Sequence, residues 1–203
     1  MGFAIIGVFS TILFVATRTK EYVVYLQKPK VVKEEPTIDE QLLSPNEYSR
    51  PVIPVETING IVVHYTANPG TTAQQNRDYF EGLKDSHLTK ASSNYIIGLD
   101  GEIIRCVPDD EMAYASNERN HDTISIECCH FDETGEFYRQ TYQSLVHLVA
   151  YLMGEYDLPL DGVIRHYDVT GKSCPKYYVD HPEEWAAFLV DVEDYIEAHG
   201  VRE

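Results

Sequence analysis

The chain has 203 residues, 43% hydrophobic and 24% charged, enough for one medium-sized domain with a true core and some additional chain. Its net charge of −17, from 33 acidic against 16 basic residues, excludes nucleic-acid binding as a main function and disfavours anionic lipids and polymers, while a neutral polymer remains a suitable partner. Cys106, Cys128, Cys129 and Cys174 show no regular spacing, so they do not form the disulfide framework of a small secreted protein.

The chain opens with "GFAIIGVFSTILFVA" at 2–16, uncharged and strongly apolar. It is shorter than the ~20 residues of a comfortable membrane span. It is also long for a signal-peptide core and lacks a basic leader and a clear cleavage site. Residues 1–27 read first as an N-terminal membrane anchor; a cleaved signal, a misassigned start and a buried helix are the other readings. Arg18 and Lys20 follow the apolar run and would hold the rest of the chain on the cytoplasmic side. Residues 28–47, rich in proline and charge without sustained periodicity, read as a linker, and 48–203 as the folded domain.

Within that domain "GIVVHYTA" at 60–67 reads as a buried strand ending near His64. Thr72 is placed to cap a helix over about 73–84. Residues 92–107 form a β-hairpin turned at Asp100-Gly101. "DTISIECCHF" at 122–131 is a second buried strand, in which Cys128 and Cys129 point to opposite faces; Cys106 and one of that pair read as inert buried thiols. Residues 141–156 repeat apolar positions at helical spacing from Tyr142 to Tyr156. "GVIRH" is a short strand, and the last helix runs from Pro182 to His199, with Asp180 and Glu183 as its capping box and Gly200 as its stop. Strands alternating with helices predict an α/β fold: a single mixed central sheet with helices packed on it.

The chemistry gathers at strand ends. His64, His166 and Cys174 each lie at the end of a strand or in the loop after it, where open α/β sheets assemble sites. Two imidazoles and a thiolate suit zinc, and three protein ligands leave a fourth position open, as in catalytic sites. Taken singly, each has a plainer reading: a half-exposed histidine, a core cysteine. Only His166 and Cys174, eight residues apart across a glycine-containing loop, are linked by spacing. Glu127 interrupts the apolar "TISIECC" run; a carboxylate there is costly unless paired or used, and it reads either as a solvated edge residue or as a general base. Lys172, two residues before Cys174, reads as a solvated lysine or as a cation beside a developing oxyanion. Together these residues point to metal-assisted hydrolysis of a carbonyl compound.

The segments "GIVVHYTANPGTTAQQNRDYF", "SSNYIIGLDGEIIRCVP", "NHDTISIECCH" and "RHYDVTGKSCP", in that order, resemble the zinc N-acetylmuramoyl-L-alanine amidases of the amidase-2 type, a family that includes phage lysozyme-like amidases and peptidoglycan recognition proteins. The likeness covers about residues 46–190. It implies cleavage of the amide between N-acetylmuramic acid and L-alanine, with peptidoglycan as partner and Zn2+ as cofactor. It implies His64, His166 and Cys174 as metal ligands, Glu127 as the catalytic carboxylate and Lys172 as the oxyanion-side cation. Tyr65, Asn68, Asn94 and Tyr114 are the expected substrate contacts. Two positions depart from the family. Members of the phage and recognition-protein type carry a catalytic Tyr where Ser93 and Asn94 stand here, so proton transfer falls to Glu127. Ala115 stands where many members have a histidine. The alternatives are a peptidoglycan-binding module without activity, a zinc peptidase on the same scaffold, and a purely structural zinc site. The expected protein is a monomer, membrane-anchored or secreted, acting on the bacterial wall; an outward substrate conflicts with the inward orientation suggested by Arg18 and Lys20.

Overall fold

The computed structural model describes residues 29–202. The apolar segment at 2–16, read as an anchor, lies outside them; among the described residues no helix is long and apolar enough to cross a membrane.

The sheet is built around two strands, β3 (Gly60–Tyr65) and β6 (Thr123–Cys128), parallel and in register from Gly60–Thr123 to Tyr65–Cys128. Their continuous β-branched runs suit strands covered on both faces. The edge strand β7 (Val163–Arg165) lies parallel to β3 on one side. On the other side β6 pairs in parallel with β4 (Tyr95–Ile97), which pairs antiparallel with β5 (Ile103–Arg105). The hairpin turns where Asp100 and Gly101 were expected to turn it, but as a three-residue loop: the Gly98 N–H donates to the Glu102 carbonyl across Leu99–Gly101, the Gly101 N–H donates to the Gly98 carbonyl, and Gly101 takes a φ of +85° that few other residues adopt.

Alternation along β3 and β6 divides the interior. Ile61, Val63, Ile124, Ile126 and Cys128 face two long helices, α2 (Arg139–Glu155) and α5 (Pro182–His199), meeting Leu145, Leu148, Val149, Trp185, Phe188 and Val192. The opposite face packs under α1 (Ala73–Ser86), where Ala73, Phe80 and Leu83 meet Ile96, Ile104, Cys106 and Cys129. Cys128 and Cys129 therefore lie in different cores, and all four cysteines are free and buried. Thr72 caps α1 as read: its hydroxyl accepts from the Gln75 N–H while the Gln75 side chain accepts from the Thr72 N–H.

Two local expectations are corrected. Residues 28–47 were read as a linker, yet β1 (Lys30–Val31) pairs antiparallel with β8 (Val201–Arg202), and β2 (Ile38–Glu40) extends the main sheet parallel to β5. Val32 and Leu43 are buried at 2% and 1%, one in each core. Short edge strands are held by backbone pairing and a few anchors, so they need no sustained periodicity. Arg77, for example, donates to the carbonyls of Gln41 and Leu42. The fold thus includes residues from Lys30 onward, ahead of Tyr48. The capping box at Asp180 and Glu183 does not form: the N-cap of α5 is His181 without a side-chain bond, and the Asp180 carboxylate, in the short helix α4 (Lys176–Asp180), pairs with Lys176.

Candidate metal and catalytic site

The loop after β7 answers why His166 and Cys174 sit so near each other. His166 opens a one-turn helix, α3 (His166–Thr170), whose entry is tied by Asp168 accepting from the Arg165 N–H and guanidinium. Gly171 ends that turn at φ +77°, a left-handed value that suits glycine and reverses the chain. The Tyr167 N–H then donates to the Cys174 carbonyl at 2.9 Å, closing the loop. His64 arrives from β3, the next strand. The imidazoles of His64 and His166 meet edge to face with centroids 4.7 Å apart, and the Cys174 Sγ lies 3.8 Å from His64 Nδ1.

One donor atom from each of His64, His166 and Cys174 lies within 4.8 Å of the others, and all three side chains are buried. Both histidines use Nε2 for structure: His64 Nε2 bonds Ser116 Oγ at 3.0 Å, and His166 Nε2 donates to Asn117 Oδ1 at 2.9 Å. That bond leaves His166 Nδ1 as a lone-pair atom, and it is buried with no hydrogen-bond partner. An unpaired buried acceptor facing a thiol and a second imidazole fits a metal ion, and the N, N, S donor set fits zinc. Burial, with the neighbouring Lys172 charge, pulls both histidines below their ordinary pKa, His64 far below, so both are neutral and able to ligate. Burial pushes the Cys174 thiol up to about 12; a bound cation would reverse that and hold it as thiolate.

Glu127 stands opposite His64 in the β3–β6 register, on the same face of the sheet. Its Oε2 is shielded from solvent and has no partner. Burial pushes its carboxyl up to about 8, against the pull of Lys172, which keeps it able to exchange a proton near neutrality. Lys172 is exposed and lines the same cavity, of about 340 Å³, as Glu127, His64 and His166.

The expected substrate contacts divide. Tyr114 lines that cavity, and Asn68 lines an adjoining one of about 320 Å³ that also reaches Glu127. Tyr65 does not line either cavity: alternation turns it to the α2 side, where its ring packs on His130 and Gly135. Asn94 does not either. It is 1% exposed, its Oδ1 accepts from Ser125, and its amide donates to the carbonyls of Pro108 and Glu111. Ser93, where the family Tyr would stand, is fully buried and donates to the Tyr95 carbonyl. Ser116 and Asn117, which orient the two imidazoles, were not legible, because they lie about 50 residues from either histidine in the chain.

A profile described as N-acetylmuramoyl-L-alanine amidase matches residues 54–177. The N-acetylmuramoyl-L-alanine amidase CwlL of Bacillus licheniformis is 33% identical over 163 residues, covering 74% of this chain and 45% of its own length. The amidase BlyA of Bacillus subtilis (strain 168) is 29% identical over 164 residues, covering 70% of this chain and 43% of its own. The chain thus spans somewhat under half the length of these relatives. Among solved structures, PlyL superposes with a TM-score of 0.67 at 24% identity, covering 77% of this chain and 97% of that one. The catalytic domain of XlyA superposes with a TM-score of 0.66 at 23% identity, covering 77% and 99%. Both superpositions bear out the mixed α/β fold.

Proposed function

Since the chain belongs to the N-acetylmuramoyl-L-alanine amidase family, we propose that it is a zinc-dependent peptidoglycan hydrolase cutting the amide between N-acetylmuramic acid and L-alanine. The observation that carries this reading is the pairing of Glu127 with His64 across β3 and β6, beside the His64–His166–Cys174 set. A zinc ion held by those three residues would acidify a water and polarise the scissile carbonyl.

The chain's own residues do the rest. Glu127 takes a proton from the attacking water as its oxygen bonds to the lactyl carbonyl carbon. Lys172, on the wall of the same cavity, faces the charge that develops on the carbonyl oxygen. Glu127 then returns the proton to the departing alanine nitrogen as the C–N bond breaks, leaving a lactyl carboxylate and a free amine. No tyrosine stands in the family position, so one carboxylate serves both proton transfers. Asn68 and Tyr114 are the substrate contacts that keep their role in this reading. The wall-directed activity implies exposure to peptidoglycan.

The test is digestion of purified peptidoglycan by the zinc-loaded protein, with mass spectrometry of the new ends and Glu127→Ala as control. Free N-terminal L-alanine, absent in the control, is the expected result. New ends within the stem peptide would replace the amidase by a peptidase, and binding without cleavage would reduce the protein to a recognition module.

A further inference from the structure

The cleft at Glu127 continues in both directions. The cavity of about 320 Å³ is lined by Thr66, Asn68, Gln75, Asn76 and Tyr79, and it shares Phe80 and Glu127 with the central cavity of about 340 Å³. The central cavity in turn shares Lys90 and Tyr114 with a third, of about 520 Å³, that runs over Pro51, Val52 and Ile53. The three make one groove with different chemistry along its length.

The short arm is neutral apart from Glu127. Amides, the Thr66 hydroxyl and the exposed Tyr79 ring line it, and Thr66 Oγ1 is buried there without a partner. The long arm begins at two ammonium groups, Lys90 and Lys172, on a chain of net charge −17. Lys90 Nζ sits over the Tyr114 ring, 5.3 Å from its centroid, and among the described residues neither lysine forms an ion pair with a carboxylate. Arg50, on the same arm, is not available: its guanidinium holds Glu111 at 2.8 Å and the Leu43 carbonyl. Beyond Lys90 the groove runs between a polar side, Asn46, Glu47 and Arg50, and an apolar shelf, Pro51, Val52 and Ile53. Val52 is 49% exposed at φ +56°, a left-handed conformation rare for a β-branched residue, and Ile53 is 44% exposed. The shelf is pinned from below by Met112 N–H donating to the Ile53 carbonyl and Val55 N–H to the Asp110 carbonyl.

We infer that the long arm takes the peptide half of the substrate and the short arm its glycan half, with Lys90 pairing with a free carboxylate of the peptide. The inference rests on the amidase reading. A γ-linked glutamate after L-alanine offers such a carboxylate, and amidation removes it. An ammonium fixed by an aromatic face, in a protein otherwise acidic, discriminates those two forms by charge. Apolar contact with Val52 and Ile53 would follow for the residues farther along the peptide, and Tyr79 supplies the aromatic surface on which a sugar ring packs.

The test uses the zinc-loaded full chain and two soluble substrates, N-acetylmuramoyl-L-alanyl-γ-D-glutamyl-L-lysine and its α-amide. Wild type is expected to favour the acid about five- to tenfold in kcat/KM. Lys90→Gln is expected to bring the ratio of acid to amide near one, and Lys90→Arg to keep it. A wild type that cleaves both equally, or a Lys90→Gln variant that keeps the wild-type ratio, overturns the carboxylate pairing. Direction is read separately: Ile53→Ser should reduce the gain from lengthening the peptide, and Tyr79→Ser the gain from lengthening the glycan. The reverse pattern overturns the assignment of the two arms. Cleavage of neither substrate by wild type would instead strike the amidase reading itself.

Discussion

The two faces of the central sheet do opposite things with the same strands. Toward α2 and α5, β3 and β6 present Ile61, Val63, Ile124 and Ile126, each fully buried among apolar side chains. Toward α1, the alternate positions become polar near the strand ends, with His64 beside Glu127. Glu127 Oε2, Thr66 Oγ1 and His166 Nδ1 lie there without partners. Unpaired buried polar groups cost stability, so the cleft spends what the other face supplies. The difference teaches that rigidity for the site comes from the α2–α5 side, while the site itself is locally destabilising until a ligand completes it.

The strongest way to break this division is at Cys174. Replacing it by serine is expected to remove bound zinc, measured by metal analysis, and to lower turnover at least about 10³-fold. Far-UV circular dichroism should be unchanged, since the α2–α5 core is untouched. A structural zinc site would instead lose its fold. Phe188→Ala is the mirror experiment. Phe188 is fully buried against Trp185 and Tyr142, and its truncation should cost about 3–5 kcal/mol in denaturant unfolding. Activity per folded molecule should hold.

Glu127→Gln sharpens the comparison in the metal-free protein. The folded carboxyl, raised by burial from 4.5 to about 8, is stable there only while protonated. Its favourable contribution is full below pH 4.5 and is lost as pH rises through about 8. The glutamine variant should therefore match wild type near pH 4 and exceed it by roughly 2–4 kcal/mol at pH 9, at about 1.4 kcal/mol per pKa unit. A pH-independent difference would show that the carboxylate is not desolvated. The smallest effect is expected at Ser116→Ala, which removes the partner of His64 Nε2. Zinc affinity, measured by competition with a chelator, should fall about 10–100-fold with little change in unfolding.

Much of the cleft could be read before any coordinates. His64, Glu127, Lys172 and Cys174 carry their chemistry in residue type and strand position, and the cleft holds all four with His166. Tyr65 lies outside the cavities, as the alternation of its own strand, which turns it to the face opposite His64, already implied. Asn94 lies outside them for a different reason. Nothing local reveals that its amide bridges Ser125 to the carbonyls of Pro108 and Glu111. Lys90 and the Val52–Ile53 shelf were silent too, because an exposed lysine and two exposed aliphatic residues carry no periodic signal.

By itself, the sequence determined the elements of this protein. Apolar runs made the central strands, helical spacing made α2 and α5, Thr72 and Gln75 capped α1, and Gly101 and Gly171 turned the chain, all through interactions within a few residues. Tertiary structure alone decided what those elements bring together. Parallel pairing with no tight turn to set it placed His64 opposite Glu127 and next to the strand that delivers His166, and it made edge strands of residues 30–40. Register between distant strands is chosen by which faces can be buried at once, a property of the whole sheet that no single segment contains.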